Sequence, residues 1–79
     1  VLNPGTLFIL ERDMGQCLHP RHWGLLDKEI MCTVISGAQV AFGTKGATNR
    51  YLVLGDERLL TVELIPWYEV RLRILVEPK

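Results

Sequence analysis

The sequence predicts an all-β fold: a small, partly open β-barrel of five to six short strands with one long loop. Three observations predict it. Apolar residues recur at every second position along most of the 79-residue chain, the period of a half-buried strand. The alternating runs are rich in β-branched and aromatic residues, which suit a pleated surface. Gly, Pro, Asn and Asp separate the runs at short intervals and mark brief turns. Closing such a sheet, or nearly so, hides edges that would otherwise invite aggregation.

The elements follow in order. After Pro4-Gly5, "TLFILER" (6–12) reads as the first strand. Residues 13–28 show no sustained alternation and carry Gly15, Pro20 and Gly24, so they form the long loop. Only "RHWGLLDKE" (21–29) has room for a helical turn. In "EIMCTVI" (29–35), Ile30, Cys32 and Val34 share an inward face. Ser36-Gly37 breaks that strand, and "QVAF" (39–42) follows with Val40 and Phe42 inward. "GTKGATNR" (43–50) is a loop with turn chemistry throughout. "YLVL" (51–54) leads through a Gly55-Asp56 turn to "LLTVELI" (59–65), where Leu60, Val62 and Leu64 face inward. Pro66 interrupts, because it cannot donate to a ladder. The closing strand is "EVRLRILVE" (69–77), with Val70, Leu72, Ile74 and Val76 on the core face and Glu69, Arg71, Arg73, Leu75 and Glu77 on the wet one.

Length and composition set bounds. The chain is a single domain, 1–79, without a linker or an internal repeat. At this size folding buries only about 60–65% of the unfolded surface, so neighbouring subunits, a metal or a disulfide would help. Hydrophobic content of 48% and charged content of 23% exclude disorder. Nine acidic and nine basic residues are interspersed, for a formal net charge of zero. That disfavours nucleic acid and anionic membranes as partners, since both demand a basic surface. No apolar run approaches the roughly 20 residues of a membrane span. The chain reads as cytoplasmic, with reduced thiols; a Cys17–Cys32 disulfide is the other reading of its two cysteines.

"GQCLHPRHWG" (15–24) is the stretch most suggestive of chemistry. Cys17, His19 and His22 could supply three zinc ligands and Cys32 a fourth, since zinc takes four in tetrahedral array. Against this, Cys32 alternates with Ile30 and Val34 on the apolar face, where a thiol behaves as a small hydrophobe. Paired C-x2-C spacing is also absent. The expectation is therefore no metal and no cofactor. A Cys-His nucleophile would need an oxyanion hole and a pocket as well, more than so short a chain easily builds, so no catalytic residue is assigned. "GTKG" (43–46) lacks the spacing of a phosphate-binding loop. Trp67 and Tyr68 follow Pro66 at a strand junction, either as a plug at one barrel end or as an anchor in a subunit contact. Leu59, Ile65 and Leu75 sit on nominally polar faces, and several apolar residues so placed suggest a partner.

In order of features, the chain resembles the GroES-like co-chaperonin family. The resemblance lies in "LNPGTLFILERD" (2–13), "KEIMCTVISG" (28–37), "AQVAFGTKG" (38–46), "VLGDERLLTVE" (53–63) and "YEVRLRILVE" (68–77). It runs end to end, with Val40 and Phe42 at matching positions. Ser36 to Gln39 is a tight connection where many members carry a longer roof hairpin, so the likeness is to a compact, phage-type member. The resemblance implies a non-enzymatic ring subunit that docks on a chaperonin through loop 13–28. Gly24, Leu25 and Leu26 stand where the family has its apolar docking triplet. It also implies assembly by pairing the first strand of one subunit with the last of the next, putting Leu7, Ile9, Trp67 and Leu75 at the subunit interface. Two other readings remain: a small barrel adaptor or inhibitor from a mobile element without a chaperonin partner, and a zinc-stabilised nucleic-acid-binding barrel.

Overall fold

A computed structural model of the chain describes residues 1–11, 29–43 and 46–78. Among the described residues the fold is all-β apart from one helical turn. Its elements are β1 (Leu7–Leu10), β2 (Ile30–Gly43), β3 (Gly46–Gly55), β4 (Arg58–Leu64), α1 (Pro66–Glu69) and β5 (Arg73–Val76). The five strands form one antiparallel sheet in the order β4-β3-β2-β1-β5. Strands β4 and β5 lie at opposite ends of that order, so the sheet is not closed.

The first strand is set by a type II turn. Pro4 fixes its own φ, Gly5 takes φ 92°, and the Thr6 N–H donates to the Asn3 carbonyl at 3.1 Å. This is the turn that a Pro-Gly pair favours, because its third position needs a positive φ. The backbone then runs straight into the ladder: Gly5 N–H donates to the Val34 carbonyl and Val34 N–H to the Thr6 carbonyl, both at 2.8 Å.

Strand β2 is longer than the sequence reading allows. Ser36-Gly37 does not end it; the ladder with β3 continues to Gly43 through register shifts between Val34 and Ser36 and between Ser36 and Gln39. A straight strand of 14 residues would span roughly 43 Å at about 3.3 Å per residue. The longest dimension of the whole fold is 33 Å. The strand must therefore bend, and bulges are where an antiparallel strand bends. Of residues 43–50, expected as a loop, Gly43 belongs to β2 and 46–50 to β3. The bend carries the sheet around a core of Phe8, Leu10, Ile30, Cys32, Val34, Tyr51, Val53, Leu60, Val62, Leu64, Tyr68 and Leu72. Burying each of the larger aliphatic side chains contributes about 1.5–3 kcal/mol. Gly55 is part of this packing: a Cβ there would lie 3.0 Å from both Cys32 Sγ and Ile30 Cγ2.

Pro66 does more than interrupt. It opens α1, where its missing N–H is no loss, and the Tyr68 and Glu69 N–H groups both donate to the Ile65 carbonyl. The helical turn thus falls here, and the expected turn at 21–29 lies outside the described residues except for Glu29. Val70, expected inward, follows the helical turn and is exposed, while Glu69, expected wet, is buried. A second correction comes from β5. Ile74 pairs with Phe8 and Val76 with Leu7, so Leu75 is the extra residue of a bulge. The bulge breaks the alternation, and Val76 leaves the core face for the outer one.

Asp56 and Glu57 connect β3 to β4 with φ values of 52° and 62°, as a two-residue hairpin of type I′ requires. Aspartate tolerates that region; for glutamate it costs about 1–2 kcal/mol. Glu57→Gly is expected to raise stability by about 0.5–1 kcal/mol after the entropy glycine adds to the unfolded chain. That corresponds to roughly 2–8 °C in the melting midpoint, measurable by thermal denaturation. An unchanged or lower midpoint would contradict it.

Candidate interaction surface

The outer face of the sheet, opposite the core, is where a polar surface is expected on an antiparallel sheet. Here it is largely apolar. Register fixes one continuous cross-strand row: Leu59 opposite Leu54, Leu54 opposite Thr33, Thr33 opposite Leu7, and Leu7 opposite Val76. That row touches all five strands. In the row beside it, Met31 faces Ile9 and Ile9 faces Arg73. Leu59 is 60% exposed, and Leu54, Met31 and Val76 are exposed as well. A solitary exposed leucine is ordinary; a connected row marks a contact surface. Arg50 and Glu63 stand on the same face as a cross-strand pair, with Arg50 Nε donating to Glu63 Oε1 at 2.9 Å. So exposed a pair adds about 0.2–1 kcal/mol and leaves the face without net charge there.

Of the residues expected at a subunit interface, Leu7 and Ile9 are half-buried on this outer face, and Leu75 is exposed on the β5 bulge. Trp67 is exposed on α1, with the Arg71 guanidinium 4.6 Å from its ring centroid. The first strand, expected to pair with the last strand of a neighbouring subunit, is paired with the last strand of its own chain. Within a single chain β1 already pairs with β2 on one side and with β5 on the other, so it has no edge to offer. Gly24, Leu25, Leu26, Cys17, His19 and His22 lie outside the described residues.

Val40 and Phe42 point as alternation predicts, but no core lies beneath them. Val40 is opposite Asn49 and Phe42 opposite Ala47, on the core side of β3. Strand β4 ends at Leu64, opposite Asn49. Beyond that point, among the described residues, only β2 and β3 continue, as a two-stranded ribbon that leaves Val40 70% and Phe42 85% exposed. At the base of the ribbon, on its other face, lies a cleft of about 220 Å³ lined by Ser36, Gln39, Arg50, Leu52 and Thr61, among others.

The buried polar groups serve packing. Glu69 Oε2 accepts from Asn49 Nδ2 at 2.7 Å, and Glu69 Oε1 accepts from the Tyr51 hydroxyl, which in turn accepts from Leu2 N–H at 2.9 Å. These bonds tie α1 to β3; sequence alternation could not have found them, because it treats Glu69 as a strand residue. Burial, then the hydrogen bond to Glu69, pushes the Tyr51 phenol up to about 12. Cys32 is fully buried, and desolvation pushes its thiol up to about 12. Among the described residues no three His, Cys, Asp or Glu side chains are grouped as metal ligands, and no helix is long and apolar enough to cross a membrane.

Compared with protein-family models, with curated proteins and with solved structures, the chain finds no match in any of the three.

Two outcomes follow from the shifted groups. A folded pKa above the unfolded value of about 10 for tyrosine means that the Tyr51 bond stabilises fully below pH 10 and is lost as pH rises towards 12. Tyr51→Phe should remove that alkaline step, seen by phenolate absorbance, and cost about 1–3 kcal/mol by leaving Glu69 short of a donor. Cys32 should react with alkylating reagents at neutral pH only as fast as the fold opens. Prompt modification of Cys32 in the native protein would contradict its burial.

Proposed function

We propose that this chain is a non-enzymatic protein-interaction module that presents the outer face of its sheet to a protein partner. The observation that carries the reading is the row from Leu59 to Val76, apolar except for Thr33, continuous over five strands and flanked by charged side chains. An apolar centre with a polar rim is the anatomy of a protein contact. The buried titratable groups favour a non-catalytic role. Cys32 is held as a neutral thiol, and Tyr51 and Glu69 are engaged with each other inside the fold. The exposed Trp67 fits an aromatic anchor at the margin of such a contact.

The particular form of the reading is a cytoplasmic, phage-type co-chaperonin-like subunit, working as a homo-oligomer with a chaperonin as its partner. That form rests on the sequence resemblance, with Gly24, Leu25 and Leu26 as docking residues. Each contact would be weak, and several subunits would add them through multivalency.

Co-sedimentation with a purified chaperonin ring tests it. Wild type is expected to sediment with the ring. Leu54→Ser with Leu59→Ser, and separately Leu25→Ser with Leu26→Ser, should each weaken binding at least tenfold. For the two exposed outer-face leucines the melting midpoint should barely move, because surface substitutions shift stability by about 0.5 kcal/mol or less. Undiminished binding by the outer-face pair would overturn the role of that face. No sedimentation of the wild type would overturn the co-chaperonin form and leave the adaptor reading. Stoichiometric zinc in the purified protein would turn the choice to the nucleic-acid-binding barrel.

A further inference from the structure

We propose that copies of this chain join head to tail through the β2–β3 ribbon, with Phe42 of one copy seated in the cleft at the ribbon base of the next. The inference rests on the reading of the chain as an interaction module and names one contact that such a module makes with itself.

The projecting part is well defined. Phe42 and Val40 share one face of the ribbon, and the residue opposite Phe42 is Ala47, too small to shield a phenyl ring. At 85% and 70% exposure these side chains have almost no cover from their own chain. Water is a poor environment for a ring held this far out, and aromatic anchors of this kind dominate protein contacts. A two-stranded ribbon is only marginally stable by itself, so contact with a neighbour would add to its stability.

The receiving part is the cleft of about 220 Å³. At about 30 Å³ per water it holds roughly seven waters, room enough for one aromatic ring. Arg50, Tyr51 and Leu52 of β3 all line it; alternation puts the Arg50 and Leu52 side chains on the outer, cleft side, while the Asn49 carboxamide and the buried Tyr51 ring lie on the core side. Leu52 and the Thr61 methyl supply apolar contact. The Arg50 guanidinium, held by Glu63, lies at the site as a flat cation for the face of a ring. The chain has no net charge, so copies approach without mutual repulsion.

The geometry also fixes the kind of assembly. Phe42 is on the face of the ribbon shared by Ala47 and Asn49; the cleft is on the face of Arg50 and Leu52. A projection and a recess on opposite faces use different surfaces on the two copies. Such a contact is heterologous, and it must close into a ring or continue as a filament.

Light scattering coupled to size-exclusion chromatography tests this with two variants. Wild type should run as a multiple of the 9.0 kDa chain. Phe42→Ser removes the projection and Ser36→Trp fills the recess; each should run as a single folded chain that still melts cooperatively, with a midpoint lowered only by the stability the contact supplies. An equal mixture of the two should give a species of two chains and nothing larger, because the mixture offers one intact projection to one intact recess. A wild type that stays monomeric at high micromolar concentration would overturn the proposal, as would a Phe42→Ser variant that assembles normally. A monomeric wild type that still sediments with the chaperonin would sink this contact while leaving the interaction module standing. An assembling wild type that ignores the chaperonin would do the opposite to the co-chaperonin form.

Discussion

Strand β2 has to serve two neighbours at once, and the rest of the fold depends on how it does so. Its first part pairs with β1 on one side and with β3 on the other. A strand of that length cannot stay straight inside so small a molecule, and the register shifts around Ser36 let it turn. Because it turns, one continuous sheet can face itself, and side chains from β1 and β4 reach the same core. The same bend produces the ribbon beyond Asn49 and the cleft at its base. Core, projection and recess are thus three consequences of one local irregularity.

The two faces divide the chemistry sharply. Facing inward are a neutral thiol, a phenol bonded to a carboxylate, and a carboxamide that completes the cluster. An unsatisfied buried carboxylate would cost several kcal/mol, so the Asn49 and Tyr51 donors are what make Glu69 admissible inside. Facing outward, beside the Arg50–Glu63 pair and Arg73, are leucine, isoleucine, methionine and valine, more apolar surface than a sheet that meets only water would be expected to carry. Among the described residues, Cys32, Tyr51 and Glu69 are withheld from solvent and a row of apolar side chains is offered to it. That inversion is what the proposed role in recognition rests on.

Much of the fold was legible in the sequence, and the failures have physical causes. Alternation placed Ile30, Cys32, Val34, Leu60, Val62 and Leu64 correctly, because each sits in an unbroken stretch of strand over the core. It misplaced Val76 because a one-residue bulge at Leu75 reverses every later side chain. Glu69 and Val70 were misplaced because Pro66 starts a helical turn with a different period. Val40 and Phe42 were given the right direction and the wrong surroundings: periodicity reports which way a side chain points, not whether anything is there to meet it. The outer row was only half visible. Leu59 and Leu75 stood out as apolar residues on polar faces, but joining Leu59 to Leu54, Leu7 and Val76 needs the register between strands distant in sequence.

The place of β1 between β2 and β5 has a consequence for how the chain reaches this state. Leu7 is paired with Val76, so two segments near opposite ends of the sequence must meet before the sheet is complete. Contacts of such long range close slowly, since the entropy of a large loop is lost before the pairing gives anything back. Strands β2, β3 and β4 form a meander joined by short connections and can assemble early. During synthesis β1 can add to the free side of β2, but its own outer edge would stand uncovered until β5 leaves the ribosome and pairs with it. The interval between those two events is when an unpaired edge is most open to capture by another chain.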